Sequence, residues 1–277
     1  MEKMLNLATN KNQNGFESHD IKHMSPSSIN EWRDSPDTFL AKKLKGARFP
    51  SNFAMEQGKA VELGTDMGVY SNTPIAECIK QALQYYKKAI SMMSGAPENY
   101  EKTKPIIEKM VTNAIEQIKT IGKPKQPTLG ENQHKFVLPF RFAEGELGKI
   151  PCMGYLDYWF PDQSIIVDLK TTSKAPSSWS ISHATQASIY KKAMEIKTKR
   201  PVKVLFLYVL TRQKDPFVWL ELDDPTEYID LAKQTVRRLE AFLSLNSDSD
   251  KLLEAVPHNP TSFYWNNAND IKKNIFP

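Results

Sequence analysis

Cysteine is almost missing from this chain. Cys78 and Cys152 are the two thiols in 277 residues, far apart in sequence, so neither a disulfide framework nor a four-cysteine metal cluster can be built from them. Iron–sulfur chemistry carried by the chain's own thiolates is thereby excluded. Histidine is sparse as well, with five copies, and together with the missing thiolates this turns any metal site away from zinc and toward hard oxygen ligands. Long apolar runs are also lacking: no stretch approaches the roughly eighteen consecutive apolar residues of a membrane span. The opening Met1-Glu2-Lys3-Met4-Leu5 is not followed by a signal-peptide hydrophobic region. The expectation is a cytoplasmic protein without membrane association.

What is present is ordinary in bulk. Hydrophobic residues make up 40% and charged residues 25% of the chain, too apolar for a disordered protein and right for an autonomous globular fold. The length suits one elaborated domain. The first twenty or so residues, rich in Asn, Lys and Gly, read as a loose arm, giving a flexible segment 1–23 and a single domain 24–277. The formal charge of +5 is a weak attraction to polyanions and serves solubility equally well. Its distribution is more informative. Lys191, Lys192, Lys197, Lys199 and Arg200 face the single acid Glu195, a cluster compatible with phosphate contacts or with a solvated face.

Periodicity divides the domain in two. Ser28-Ile29-Asn30-Glu31 supplies a capping box for a first helix, which Ser35-Pro36 interrupts before a short helix over 37–44. Residues 51–69, 74–93 and 98–118 show helix-length apolar recurrence, the last two forming a helical insertion at about 74–120. After Gly122-Lys123-Pro124-Lys125-Gln126-Pro127 the pattern changes to strands. Strands are expected at 136–142, 153–160, 165–171, 202–210 and 217–222, with helices at 183–194 and 226–243. The polar turn Pro161-Asp162-Gln163-Ser164 makes the second and third of these strands an antiparallel hairpin.

That hairpin carries the chemistry. It brings Asp157 near Asp168, and in an extended strand Asp168 and Lys170 project to one side while Leu169 points to the other. Two carboxylates among apolar neighbours are costly to bury without a partner. A shared Mg2+ or Mn2+ offsets that cost and leaves oxygen sites for phosphate and water. Lys170 can neutralise Asp168 as a structural ion pair, or approach the scissile phosphate and stabilise its developing charge. Gln186 and Tyr190 lie four residues apart on one helical face. Gln186 is a candidate organiser of water or of the metal shell, and Tyr190 a phosphate contact or a packed support. His183, Trp179 and the Tyr85-Tyr86 pair carry lower weight, since local hydrogen bonding or packing accounts for them without a ligand.

Taken in order, Gly154-Tyr155-Leu156-Asp157, Asp168-Leu169-Lys170 and Gln186-Ala187-Ser188-Ile189-Tyr190 resemble the RecB-like branch of the PD-(D/E)XK nuclease superfamily, close to phage-associated and Cas4-like exonucleases. The resemblance spans roughly residues 24 to 210. It implies catalytic Asp157, Asp168, Lys170, Gln186 and Tyr190. Members of the family carry a Gly-x-x-x-His motif upstream; this chain has Gly58-Lys59-Ala60-Val61-Glu62, so the implied metal ligands are Glu62, Asp157 and Asp168. Asp66, one turn later, can substitute or stand behind, while Glu56 faces elsewhere. Ser35 precedes Pro36 where Cas4-like relatives put a cluster cysteine, which favours a cluster-free enzyme.

The resemblance further implies an α/β, restriction-endonuclease-like core, with a central mixed sheet flanked by helices and an added helical lobe. The implied activity is a Mg2+- or Mn2+-dependent deoxyribonuclease, an exonuclease on duplex DNA with a free end, in phage recombination or DNA end processing and repair. A homo-oligomer and a single-strand annealing partner belong to the same picture. Two other readings stay open: a non-catalytic DNA-binding recombination accessory protein, and a structure-specific DNA endonuclease.

Overall fold

The chain runs helical through its first half and then interleaves strands with helices. The computed structural model describes residues 14–128, 133–141, 149–211, 216–265 and 268–276. In chain order the elements are α1 (Gly15–Ser18), α2 (Pro26–Asp34), α3 (Pro36–Leu44), α4 (Phe53–Tyr70), α5 (Ile75–Ile90), α6 (Ala96–Lys119), β1 (His134–Arg141), β2 (Lys149–Leu156), β3 (Tyr158–Phe160), β4 (Ile165–Thr172), α7 (Ile181–Thr198), β5 (Lys203–Leu210), β6 (Phe217–Glu221), α8 (Thr226–Leu243), α9 (Ser249–Ala255) and α10 (Asn269–Ile275). They pack into two compact units. One comprises the chain up to Phe49 with Val137–Met153 and Ile229–Pro277, the other Pro50–Phe136 with Gly154–Tyr228. Among the described residues, no helix is long and apolar enough to cross a membrane.

The larger unit is built on a mixed sheet in the order β3-β4-β5-β6. β3 and β4 form the expected antiparallel hairpin, with Tyr158 opposite Val167, and β4 runs parallel to β5, with Asp168 beside Phe206 and Lys170 beside Tyr208. β6 closes the sheet antiparallel to β5. The two-residue side-chain period of β4 sorts its residues by face. Val167, Leu169, Leu207 and Val209 join a core with Ala60, Val61, Ala82, Tyr86, Ile107, Met110, Ala114 and Ile118 from α4, α5 and α6. α7 packs on β5, and its His183 ring lies against Phe206 and Tyr208. The result is an α/β architecture with helices flanking a mixed central sheet.

Sequence and structure differ in three places here. The helices at 74–120, expected as an added lobe, are part of the main core: residues 107, 110, 111, 114, 115 and 118 recur at helical spacing and are all essentially fully buried, sharing one cluster with the sheet. The first long helix starts at Pro26, with Ser25 as its cap and a reciprocal Ser25–Ser28 pair. Proline fits the first helical position because its missing N–H would have had no intrahelical partner there. Of the arm expected through residue 23, residues 1–13 lie outside the described residues, but Asn14 and Glu17 form a capping box around α1 and Phe16 is buried.

In the smaller unit a buried acid organises the packing. Asp37 accepts hydrogen bonds from the Trp265 indole at 2.8 Å, the Asn259 amide at 3.0 Å and Ser35 Oγ at 2.8 Å, with His258 Nδ1 2.8 Å away. Burial pushes its pKa up, and these bonds more than offset that, holding the carboxyl below its ordinary value. Ser35 is therefore occupied in a structural bond with Asp37.

Gly68 of α4 sits so close to α6 that a Cβ there would lie 2.5 Å from Ile115 Cδ1 and 2.8 Å from Cγ1. Ile115 is buried and its χ1 is nearly fixed in a helix. Alanine would add about 1 kcal/mol of helix propensity against roughly 1–3 kcal/mol of overpacking. Gly68→Ala should therefore lower the thermal unfolding midpoint by a few degrees, and an unchanged or higher midpoint would show that Ile115 can step aside.

Candidate active site

The larger unit gathers its acids alongside the middle of β4, just past the last pair that joins it to β3. Asp157 does not lie inside a strand, as expected, but in the bend between β2 and β3, one step beyond the last β3–β4 pair. Its side chain takes over there: Oδ2 accepts the backbone N–H of Leu169 at 2.9 Å, while the Tyr70 hydroxyl donates to its carbonyl at 2.5 Å. The bend thus turns the carboxylate toward β4.

Asp168 is 1% exposed. Its Oδ1 accepts from Gln186 Nε2 at 3.1 Å, and its Oδ2 lies 2.7 Å from Lys170 Nζ as an ion pair without a well-aligned hydrogen bond. Lys170 and Asp168 project together, as strand geometry requires, and the ammonium rests 5.1 Å above the Phe206 ring. Gln186 spends its other donor on the Tyr190 hydroxyl at 2.6 Å. Tyr190 is buried, with its ring edge-on to Phe136 at 5.3 Å. α7 carries both residues on one face, with Ser180 as its N-cap.

Glu62 reaches the cluster from α4. One turn earlier, a Cβ on Gly58 would stand 3.3 Å from Thr171 Oγ1, so the glycine permits a close approach of α4 to the end of β4. Glu62 and Asp157 are joined by Gln133, whose Nε2 donates to Glu62 Oε1 at 2.6 Å and to Asp157 Oδ1 at 2.9 Å. Behind them Tyr158 donates to Asp66 at 2.7 Å and stacks on Tyr70 at 5.5 Å. A cavity of about 510 Å³ borders Glu62 and Asp66, with Lys59, Tyr85 and Gln126 on its walls.

The electrostatics follow from this crowding. Burial, then the charge of Asp168, push the Asp157 carboxyl well above its ordinary value. The same two causes raise Glu62, and burial drives Asp66 up to about 7. Burial opposes the charge of Lys170, but Asp168 and Asp157 outweigh it and hold the ammonium protonated beyond the ordinary lysine range. Burial and Lys170 together depress His183, whose Nδ1 lies 2.7 Å from the Tyr208 hydroxyl.

The sequence candidates separate accordingly. Asp157, Asp168, Lys170, Gln186, Tyr190 and Glu62 form one connected set, whereas Glu56 faces away and binds Lys59 at 2.7 Å and Tyr85 at 2.9 Å. Tyr86 is buried and donates to Asn99 at 2.5 Å. Trp179 donates to the Glu221 carbonyl at 3.1 Å and packs edge-on to Phe206. In the basic cluster, Lys191 binds the Asp223 carbonyl and Arg200 the Pro161 carbonyl. Gln133 and Phe206 belong to the site, and no motif announces either. Gln133 lies in a polar linker whose composition carries no signal, and Phe206 reads as one more apolar residue of a buried strand.

Among the described residues no group of three His, Cys, Asp or Glu side chains is arranged to hold a metal ion. The donor chemistry nonetheless suits a hard divalent cation. Glu62 and Asp157 already share one hydrogen-bond donor, and the buried Asp168 Oδ2 faces the Lys170 ammonium at 2.7 Å.

No protein-family model matches the sequence, and no curated protein matches it. Among solved structures, a crystal structure named "Putative exonuclease", from Eubacterium rectale, is 14% identical and covers 87% of this chain and 87% of its own, with a TM-score of 0.56. A second, named SSO0001, is also 14% identical, over 61% of this chain and 88% of its own, but its TM-score of 0.32 is too low to argue from. The first likeness shows a shared fold.

Asp66 supplies a test of the electrostatics. Its folded value of about 7 lies above its ordinary value of 3.8, so between those two the folded state holds a proton that the unfolded state has released. Stability in chelator should therefore fall as pH rises from about 4 through 7, then level. Asp66→Asn should flatten that limb and gain on the order of 2–4 kcal/mol at pH 8 relative to the parent, measured by denaturant unfolding. An unchanged pH profile would mean that Asp66 is charged at neutral pH.

Proposed function

We propose that this chain is a Mg2+- or Mn2+-dependent exonuclease acting on DNA, with the restriction-endonuclease-like core of the PD-(D/E)XK nucleases. The observation that carries the reading is the gathering of three acids with their donors, Glu62–Gln133–Asp157 and Lys170–Asp168–Gln186, in which the buried Asp168 keeps the Lys170 ammonium 2.7 Å from its Oδ2. Apart from Gln133, its members are the residues that the motif resemblance names, and the shared fold with a protein named as an exonuclease agrees with the reading. DNA, as a duplex with a free end, is the substrate in this reading, and DNA end processing is its setting.

Glu62, Asp157 and Asp168 would hold the cation. A bound Mg2+ or Mn2+ would supply Lewis acidity toward a phosphodiester oxygen. Lys170 remains charged beside Asp168 and offers its ammonium to negative charge that builds on the phosphate during attack by water. Gln186 acts on Asp168: its bond to Oδ1, with Tyr190 as the second anchor, fixes the carboxylate rotamer. Tyr190 is thus a positioning residue, since its hydroxyl is engaged inside the protein. The cavity that borders Glu62 would receive the DNA strand on that side of the cluster.

Purified chain should degrade end-labelled linear duplex in Mg2+ or Mn2+ and stop in chelator. Asp168→Ala and Lys170→Ala should each lose on the order of 10²–10³ in rate while remaining folded; undiminished cleavage would overturn the assignment. Covalently closed circular duplex should resist where its linearised form is degraded. Efficient cutting of the closed circle would replace the exonuclease reading with an endonuclease one.

A further inference from the structure

Gln133 holds the position that a cation bound by Glu62 and Asp157 would need. Its amide nitrogen has two N–H donors, and both are spent on carboxylates from separate parts of the chain, at 2.6 Å and 2.9 Å. Hydrogen bonds to charged acceptors are about twice as strong as neutral ones, and this pair bridges two acids that come from separate elements, α4 and the bend before β3. A Mg2+ ion binds oxygens at about 2.0–2.1 Å, far inside the reach of an amide donor. A cation taking the same two oxygens must stand where the amide group now stands, and N–H groups aimed at a cation are repelled. The amide and the cation therefore exclude one another.

We propose that Gln133 is a placeholder: a neutral double donor that keeps Glu62 and Asp157 together in the metal-free protein and swings out when the divalent cation enters. This rests on the reading of Glu62 and Asp157 as metal ligands. Gln133 then stabilises the metal-free state and lowers metal affinity by the bonds it must give up. It also spares the protein a collapse or splaying of two mutually repelling acids between turnovers. A Gln133 that turned its carbonyl oxygen to the cation as a ligand would have the opposite effect on affinity.

The test uses the full chain with Mn2+ alone, comparing the parent, Gln133→Ala and Gln133→Met, the last keeping side-chain length without donors. Thermal unfolding in chelator should place both variants a few degrees below the parent, and saturating Mn2+ should bring all three to the same midpoint. Calorimetric titration should give both variants roughly three- to tenfold tighter Mn2+ binding, the size set by losing one or two net hydrogen bonds. Equal or weaker affinity in the variants, or a midpoint deficit that persists in saturating Mn2+, would overturn the placeholder. Absence of saturable Mn2+ binding in the parent would overturn the metal-site reading beneath it as well.

Discussion

The structure depends on the confinement of like charge beside the middle of one strand, β4. Asp168 is sealed from solvent, and its charge, after burial, raises the cost of ionising both Asp157 and Glu62. A cluster of this kind is tolerated only if cations and donors surround it. Lys170 supplies a full positive charge in direct contact, and Gln133, Gln186 and the Leu169 amide supply neutral donors. A fold that needed only stability would fill this space with apolar side chains. Retaining three acids and one lysine here makes sense if another cation joins them.

The fold delivers these groups from both faces of the sheet. α4 lies over one face, packed with α5 and α6 into the main core, and brings Glu62 in from that side. α7 lies on the other and brings Gln186. The parallel β4–β5 pair lies between them, with Asp168 at the middle of β4 and Lys170 two residues further on. At Gly58 a Cβ would stand 3.3 Å from Thr171 Oγ1, so the glycine eases the approach of α4 to β4, and Glu62 follows one turn on.

Much of this was legible in the chain because it depends on short-range periodicity. The residues of α8 match the expected span, and β4 and β5 were plain as apolar runs, since a strand buried on both faces reads as a continuous hydrophobic segment. The pairing of Asp168 with Lys170 followed from the two-residue strand period, and that of Gln186 with Tyr190 from one helical turn. Legibility failed where tertiary context decides. Whether the helices at 74–120 form a lobe or a core layer depends on what their stripes face, and periodicity does not say. α9 and α10 are each seven residues, too short to stand out from their flanks. Asp157 was placed in a strand because Tyr155, Tyr158 and Trp159 have strand propensity, yet its own carboxylate replaces the ladder partner of Leu169.

The tyrosines behind the acids show how far the site extends past its motifs. Tyr158 lies in β3 and donates to Asp66. Tyr70 stacks on it and donates to the Asp157 carbonyl. Burial and the neighbouring carboxylates raise both phenols, so they stay protonated and serve as donors. Asp66 is a full turn beyond Glu62 on α4 and has no hydrogen bond to the other acids. Its burial and its tyrosine partner instead join the helix to the bend that carries Asp157. The position of Asp157 is therefore fixed from three sides: by Leu169 along the sheet, by Tyr70 at its backbone, and by Gln133 across to Glu62. Of these, the Gln133 contact is the one that a bound cation would replace.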